Sequence, residues 1–139
     1  MTLITPSEII SLAYSESIEE ALFKEDLIIA TQDRFIRPIV SSCLFDDLLQ
    51  NPASYATLIN NFIKPCLAFY VKLMIYNQQI AQNVNLSSLS INLRNDILKD
   101  IYLIAKAREK SLRKHILNTG YVLYQTPTPR LINGLFIKS

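Results

Sequence analysis

The sequence is short of the residues that build tight turns and reactive centres. Glycine occurs only twice in 139 residues, at Gly120 and Gly134. That excludes phosphate-cradling loops of the GxxxxGK[ST] or GxGxxG kind, which need glycines close together. It also argues against a many-stranded sandwich or barrel, whose turns consume glycine. Tryptophan is absent, and histidine occurs once, as His115 beside Lys114. A Ser-His-Asp triad would have to use that one residue, and its place near a basic helix end reads as a surface or C-cap position. Cys43 and Cys66 stand 23 positions apart with no metal-ligand spacing. They read as buried free thiols of an intracellular protein. The carboxylate pairs Glu19-Glu20 and Asp46-Asp47 are neighbours in sequence. On a helix such pairs diverge by about 100°, so they read as solvated acids rather than half of a glycosidase site. The expectation is a chain that is no enzyme, with no catalytic residue, cofactor or metal.

Long charge-free runs are lacking too. The most apolar stretch, Phe62–Ile80, is broken by Lys64 and Lys72. The uncharged run between them is shorter than the roughly 20 residues that span a bilayer. No basic region followed by an apolar run marks the N-terminus. The expectation is a soluble intracellular chain with no membrane partner.

What is present is helical periodicity. Half of the residues are hydrophobic and 19% are charged, a globular composition in a chain of one-domain length. Thr5-Pro6-Ser7-Glu8 has the makings of a capping box with proline in the first turn, so a short helix over Pro6–Tyr14 is predicted. A second helix, starting near Ile18 or Lys24 and ending near Val40, carries Leu27, Ile28, Phe35, Ile36, Ile39 and Val40 at helical spacing. Pro38 should kink or end it. Leu44–Leu49 reads as one or two helical turns closed by Asn51-Pro52. A third helix starts near Ser54, and Pro65 either kinks it or restarts it. Its continuation, Cys66–Tyr76, is apolar almost all round and is the candidate central core helix. After a polar loop at Asn83–Ser90, a last helix over Ser90–Asn118 carries the stripe Leu93, Ile97, Ile101, Ile104, Ala105, Leu112 and Ile116. Tyr55, Tyr70, Tyr76 and Tyr102 read as core and rim residues. No internal repeat and no low-complexity tract is evident. The predicted fold is all-α, a bundle of four to five helices over residues 1–120, followed by an extended C-terminal arm over 121–139.

Charge is unevenly placed. Residues 1–50 hold nine acids and three bases, and residues 51–139 hold eleven bases and three acids. Glu16, Glu19, Glu20, Glu25 and Asp26 are the candidate acidic face. Lys106, Lys110, Arg113 and Lys114 recur on one side of the last helix and are the candidate basic face. Such faces can join copies head to tail, into a ring or a filament. They can equally be solvated, or neutralise each other within one fold. The basic face could also meet nucleic acid, but it lacks the interleaved aromatics of base stacking. A small helical nucleic-acid-binding protein is the alternative reading.

Past Gly120 the character changes. Tyr121, Val122, Leu123 and Tyr124 are strand-like, and Pro127 and Pro129 favour extended geometry. Arg130, Leu131, Ile132, Leu135, Phe136 and Ile137 flank an Asn-Gly turn signal whose arms are too short for a stable hairpin. So apolar a tail should fold back on its own helices or dock on another chain, and it is the candidate docking arm.

The order Gln32-Asp33-Arg34-Phe35-Ile36-Arg37-Pro38-Ile39-Val40, Cys43-Leu44-Phe45-Asp46-Asp47-Leu48 and Phe62-Ile63-Lys64-Pro65-Cys66-Leu67-Ala68-Phe69-Tyr70 resembles the small helical head–tail connector (adaptor) proteins of tailed bacteriophages. The likeness is to those of crAss-like and other Bacteroidetes phages, and it spans residues 5–115. These are packing signatures, not catalytic ones. One departure is Ser41-Ser42, where a glycine commonly follows the proline-containing segment. The resemblance implies a virion neck protein, assembled in the host cytoplasm. Copies would form a ring, commonly a dodecamer, joining the portal protein to further neck or tail proteins. Genomic DNA would pass through its channel without sequence-specific contact.

Overall fold

The computed structural model describes residues 1–82 and 91–119. Among these every regular element is helical: an all-α bundle. The elements are α1 (Pro6–Ala13), α2 (Glu25–Thr31), α3 (Arg37–Val40), α4 (Ser42–Gln50), α5 (Ala56–Leu58), α6 (Lys64–Gln82) and α7 (Ile91–Thr119). Two of the joints are unbroken. α2 runs into α3 through a π turn at Gln32–Ile36, and α5 runs into α6 through a second π turn at Ile59–Ile63. The seven segments therefore make five rods.

The cap of α1 forms as its residues predict. Thr5 Oγ1 accepts from the Glu8 N–H at 3.2 Å, and the Glu8 carboxylate accepts from the Thr5 N–H at 3.0 Å. α1 stops at Ala13, one residue short of the predicted end. The second helix starts at Glu25, and a short 3-10 turn at Glu20–Leu22 precedes it.

Neither Pro38 nor Pro65 breaks its helix. Proline removes one N–H, and its ring crowds the carbonyl four residues back. Here the residue before each proline reaches back five positions instead of four. The Arg37 N–H donates to the Gln32 carbonyl, and the Lys64 N–H donates to the Ile59 carbonyl. The widened turn makes room for the ring and the rod continues. The two sites follow one pattern, Phe-Ile-base-Pro, as Phe35-Ile36-Arg37-Pro38 and Phe62-Ile63-Lys64-Pro65. Both isoleucines are fully buried.

The α5–α6 rod is the centre of the bundle. Leu58, Ile63, Cys66, Leu67, Ala68, Tyr70 and Val71 are buried against α1, α2 and α7. Its stretch Pro52–Gln79 is apolar and long enough to cross a membrane by composition, but half of that apolar window is covered by the protein itself. α7 lies antiparallel along it, as the pairings Phe62 with His115 and Gln79 with Ile97 show. Of the predicted α7 stripe, Ile101, Ala105, Leu112 and Ile116 are buried and Ile97 is half-buried. Leu93 and Ile104 are exposed, because the seam is narrower than the apolar arc of the helix.

Candidate functional site

The candidate basic face contains a carboxylate that the sequence reading passed over. Glu109 occupies the step of the stripe between Ala105 and Leu112, and it is buried. It accepts a short hydrogen bond from the Tyr70 hydroxyl. Arg113 Nε donates to it at 3.0 Å, and Lys106 Nζ lies 3.3 Å from both of its oxygens. Burial alone would raise the Glu109 pKa. The Tyr70, Arg113 and Lys106 hydrogen bonds outweigh burial and hold the carboxyl below its ordinary value. Tyr70 is pushed well above the usual phenol range, by burial first and by its bond to Glu109 second. Beside them, burial and the Glu109 charge push the Cys66 thiol up to about 12. A thiol that seldom ionises is a packing group, not a nucleophile. The gap of seven residues between Ala105 and Leu112 was the available signal for Glu109: a buried stripe needs a residue there.

The four bases are therefore not equivalent. Lys106 and Arg113 belong to Glu109. Lys110 and Lys114 are exposed and carry no ion pair among the described residues. His115 is half-buried, its ring stacked on Phe62 at 3.9 Å and 9°. The predicted surface role gives way to a packing one, because the Phe62 turn presses against this part of α7.

The acids sort in the same way. Asp33 and Asp46 flank Arg37 at 3.4 and 3.2 Å. Asp47 accepts from the Tyr55 hydroxyl and from Asn51. Glu8 pairs with Lys64. Of the acids in residues 1–50, Glu16, Glu19, Glu20, Glu25 and Asp26 remain, all exposed and all without an ion pair among the described residues. Glu8–Lys64 is the one described ion pair that joins the acidic half to the basic half. Among the described residues no other ion pair joins the two halves.

The two unpaired sets also lie apart. Glu16 and Leu22 line a cavity with Gln79 and Ile97, and Asp26 lies near Gln78. Lys110 is thirteen residues further along α7 than Ile97, about 20 Å along its axis. The acidic set thus lies towards one end of the α6/α7 pair, with Lys24 and Lys99 near it, and Lys110 and Lys114 lie towards the other.

No three His, Cys, Asp or Glu side chains converge to hold a metal among the described residues. Cys66 is buried as expected, whereas Cys43 is exposed; α4 turns it away from the core side that carries Leu44, Phe45 and Leu48. The candidate docking arm, Tyr121–Ile137, lies outside the described residues. Comparison with known proteins finds no match, whether among protein families, curated proteins or solved structures.

Proposed function

We propose that this chain is a non-catalytic building block that assembles head to tail into a ring. Its place would be the head–tail connector of a tailed phage, between the portal and the tail, around a channel for DNA. The observation that carries the reading is the placement of unpaired charge. Around Glu16 and Asp26 the exposed acids outnumber the exposed bases Lys24 and Lys99, and Lys110 with Lys114 lie towards the other end, which would give each copy two faces of opposite net charge. Opposite charge on distinct surfaces of one molecule favours heterologous contact, and a heterologous contact that closes makes a ring. The identification of that ring with a phage neck rests on the resemblance over residues 5–115.

The nucleic-acid reading is weaker on the same residues. Glu109 takes up Lys106 and Arg113, which leaves fewer cations for phosphates and a negative charge among them. Native mass spectrometry of the complex extracted from its natural source tests the proposal. A multi-copy species, alone or stacked on a second ring-forming protein, is expected. A monomer or dimer that carries nucleic acid and no ring partner would overturn it.

A further inference from the structure

One side of the α5–α6 rod is a groove. Phe62, Pro65, Phe69, Lys72, Tyr76 and Gln79 recur every three or four residues and form its floor. That face is about 25 Å long. α7 makes one wall, with Ile97, Ile101, Arg108 and Ser111, and Leu12, Tyr14 and Leu22 stand on the other side. The floor opens into two cavities end to end, of about 330 and 290 Å³. Lys72 lies between them, its Nζ 4.6 Å from the Tyr14 ring and 2.8 Å from the Ala13 carbonyl. Leu12 and Leu22 are 40% and 43% exposed, unusual for leucines that flank a concave apolar surface. The Tyr76 hydroxyl is buried there with no hydrogen-bond partner. A buried donor without an acceptor is costly, and the backbone carbonyl of an extended segment would supply one.

The chain itself contains a segment of the right chemistry in the right place. α7 ends at Thr119, about 12 Å beyond Ser111, at the Phe62 mouth of the groove. Gly120 follows, and glycine lets the backbone reverse without steric cost. At about 3.3 Å per extended residue, eight residues would cover the groove, and positions 121–137 offer enough chain to turn and fill it. The segment is apolar at Tyr121–Tyr124 and again at Leu131, Ile132 and Leu135–Ile137, two clusters for two cavities. Between them stands Thr126-Pro127-Thr128-Pro129, a sequence that favours extended geometry. The segment's one charge, Arg130, is positive, as is Lys138 just beyond it, and the far end of the groove is where Glu16 lies.

We propose that in the unassembled chain residues 121–137 seat in this groove of their own helical body, Tyr121–Tyr124 near Leu12 and Leu131–Ile137 near Leu22. A second copy's segment has the same chemistry, but attachment through Gly120 gives the chain's own segment an effective concentration of about millimolar. The inference does not depend on the ring.

The test uses the full-length chain, diluted until light scattering reports a monomer. A photo-crosslinking phenylalanine replaces Leu12 or Leu22, both exposed, and the linked peptides are mapped in a mixture of isotopically light and heavy chains. Links within one chain, from position 12 to 121–124 and from position 22 to 131–137, are expected. Links to this segment only between light and heavy chains, or links that avoid it, would overturn the proposal. A second variant, Leu12→Glu with Ser111→Glu, places charge at two exposed positions that line the groove. Trypsin cleavage after Arg130 in the native protein should then accelerate about tenfold, since cleavage follows the population of the open form. An unchanged rate would contradict a seated segment.

Discussion

The two π turns are built on the same Phe-Ile-base-Pro pattern and lead to different structures. Phe35-Ile36-Arg37-Pro38 and Phe62-Ile63-Lys64-Pro65 both bury the isoleucine and both lay the phenylalanine flat on a ring, Phe35 on Tyr70 at 4.1 Å and Phe62 on His115 at 3.9 Å. After the first, the helix lasts four residues and stops at Val40. After the second, it continues to Gln82. The residues beyond the proline decide. Ser41 adopts φ 77°, a conformation that suits glycine, and its side chain caps α4 by accepting from the Leu44 N–H. The corresponding stretch after Pro65 is Cys66-Leu67-Ala68, all buried, with no capping residue to divert the backbone. The basic residues differ as well. Arg37 stays within its own half, between Asp33 and Asp46, whereas Lys64 reaches Glu8 on α1. One motif therefore serves first as a corner and then as the middle of the central rod.

Substitutions at matched positions sharpen this comparison. The largest effect is expected at the shared isoleucines. Ile36→Ala and Ile63→Ala should each cost about 3 kcal/mol, read by urea unfolding, because both side chains leave a cavity in a closed core. A loss below about 1 kcal/mol at only one of them would show that the turns are not equivalent in packing.

Glu109→Gln comes next, at about 2 kcal/mol near neutral pH, because it keeps the shape and removes the charge that Tyr70, Arg113 and Lys106 address. The pH dependence has a definite sign. The folded Glu109 titrates below its ordinary value of 4.5, so its contribution is complete above that pH and is lost as pH falls through the folded pKa. The difference between wild type and Glu109→Gln should therefore shrink on acidification below about pH 4.5. A constant difference would mean that the carboxylate's charge is not what stabilises the seam. Ser41→Gly should stabilise the chain by about 1 kcal/mol, since it relieves the positive φ at the cost of a long capping bond. A destabilised Ser41→Gly would mean that the cap outweighs the strain. The smallest contrast is between the bases. Lys64→Met and Arg37→Met should each cost less than about 1 kcal/mol, with Lys64→Met the larger because its side chain is less exposed.

Much of this fold was legible in the residues. The Thr5–Glu8 box, the apolar run from Cys66 and the α7 stripe placed their helices because capping chemistry and helical spacing are local properties. Both prolines fall in the first turn of an α segment, and the first of these ends at Val40, as the residues suggested; the π turn before each was not legible, because it depends on what the widened turn can bury. Ser41 was visible as a departure where glycine is usual, and the backbone there does adopt a conformation that suits glycine. Glu16, Glu19, Glu20, Glu25, Asp26, Lys110 and Lys114 are all exposed. Which charges the fold would consume was not legible, since Lys64 meets Glu8 only across 56 positions of chain and Glu109 is buried only once Tyr70 faces it. For the same reason the basic face lost two of its four members.

In the proposed ring the acidic end of one copy would meet the basic end of the next. A charge-swap mixture measured by sedimentation velocity tests it most directly. One variant carries Glu19→Lys and Glu20→Lys, the other Lys110→Glu and Lys114→Glu, and all four residues are exposed and outside the core. In a head-to-tail ring each variant alone sets like charges against each other, whereas alternating copies restore both contacts. The account predicts that each variant is monomeric under conditions where the wild type forms rings, and that an equal mixture assembles. Rings formed by either variant alone, or a mixture that stays monomeric, would contradict it.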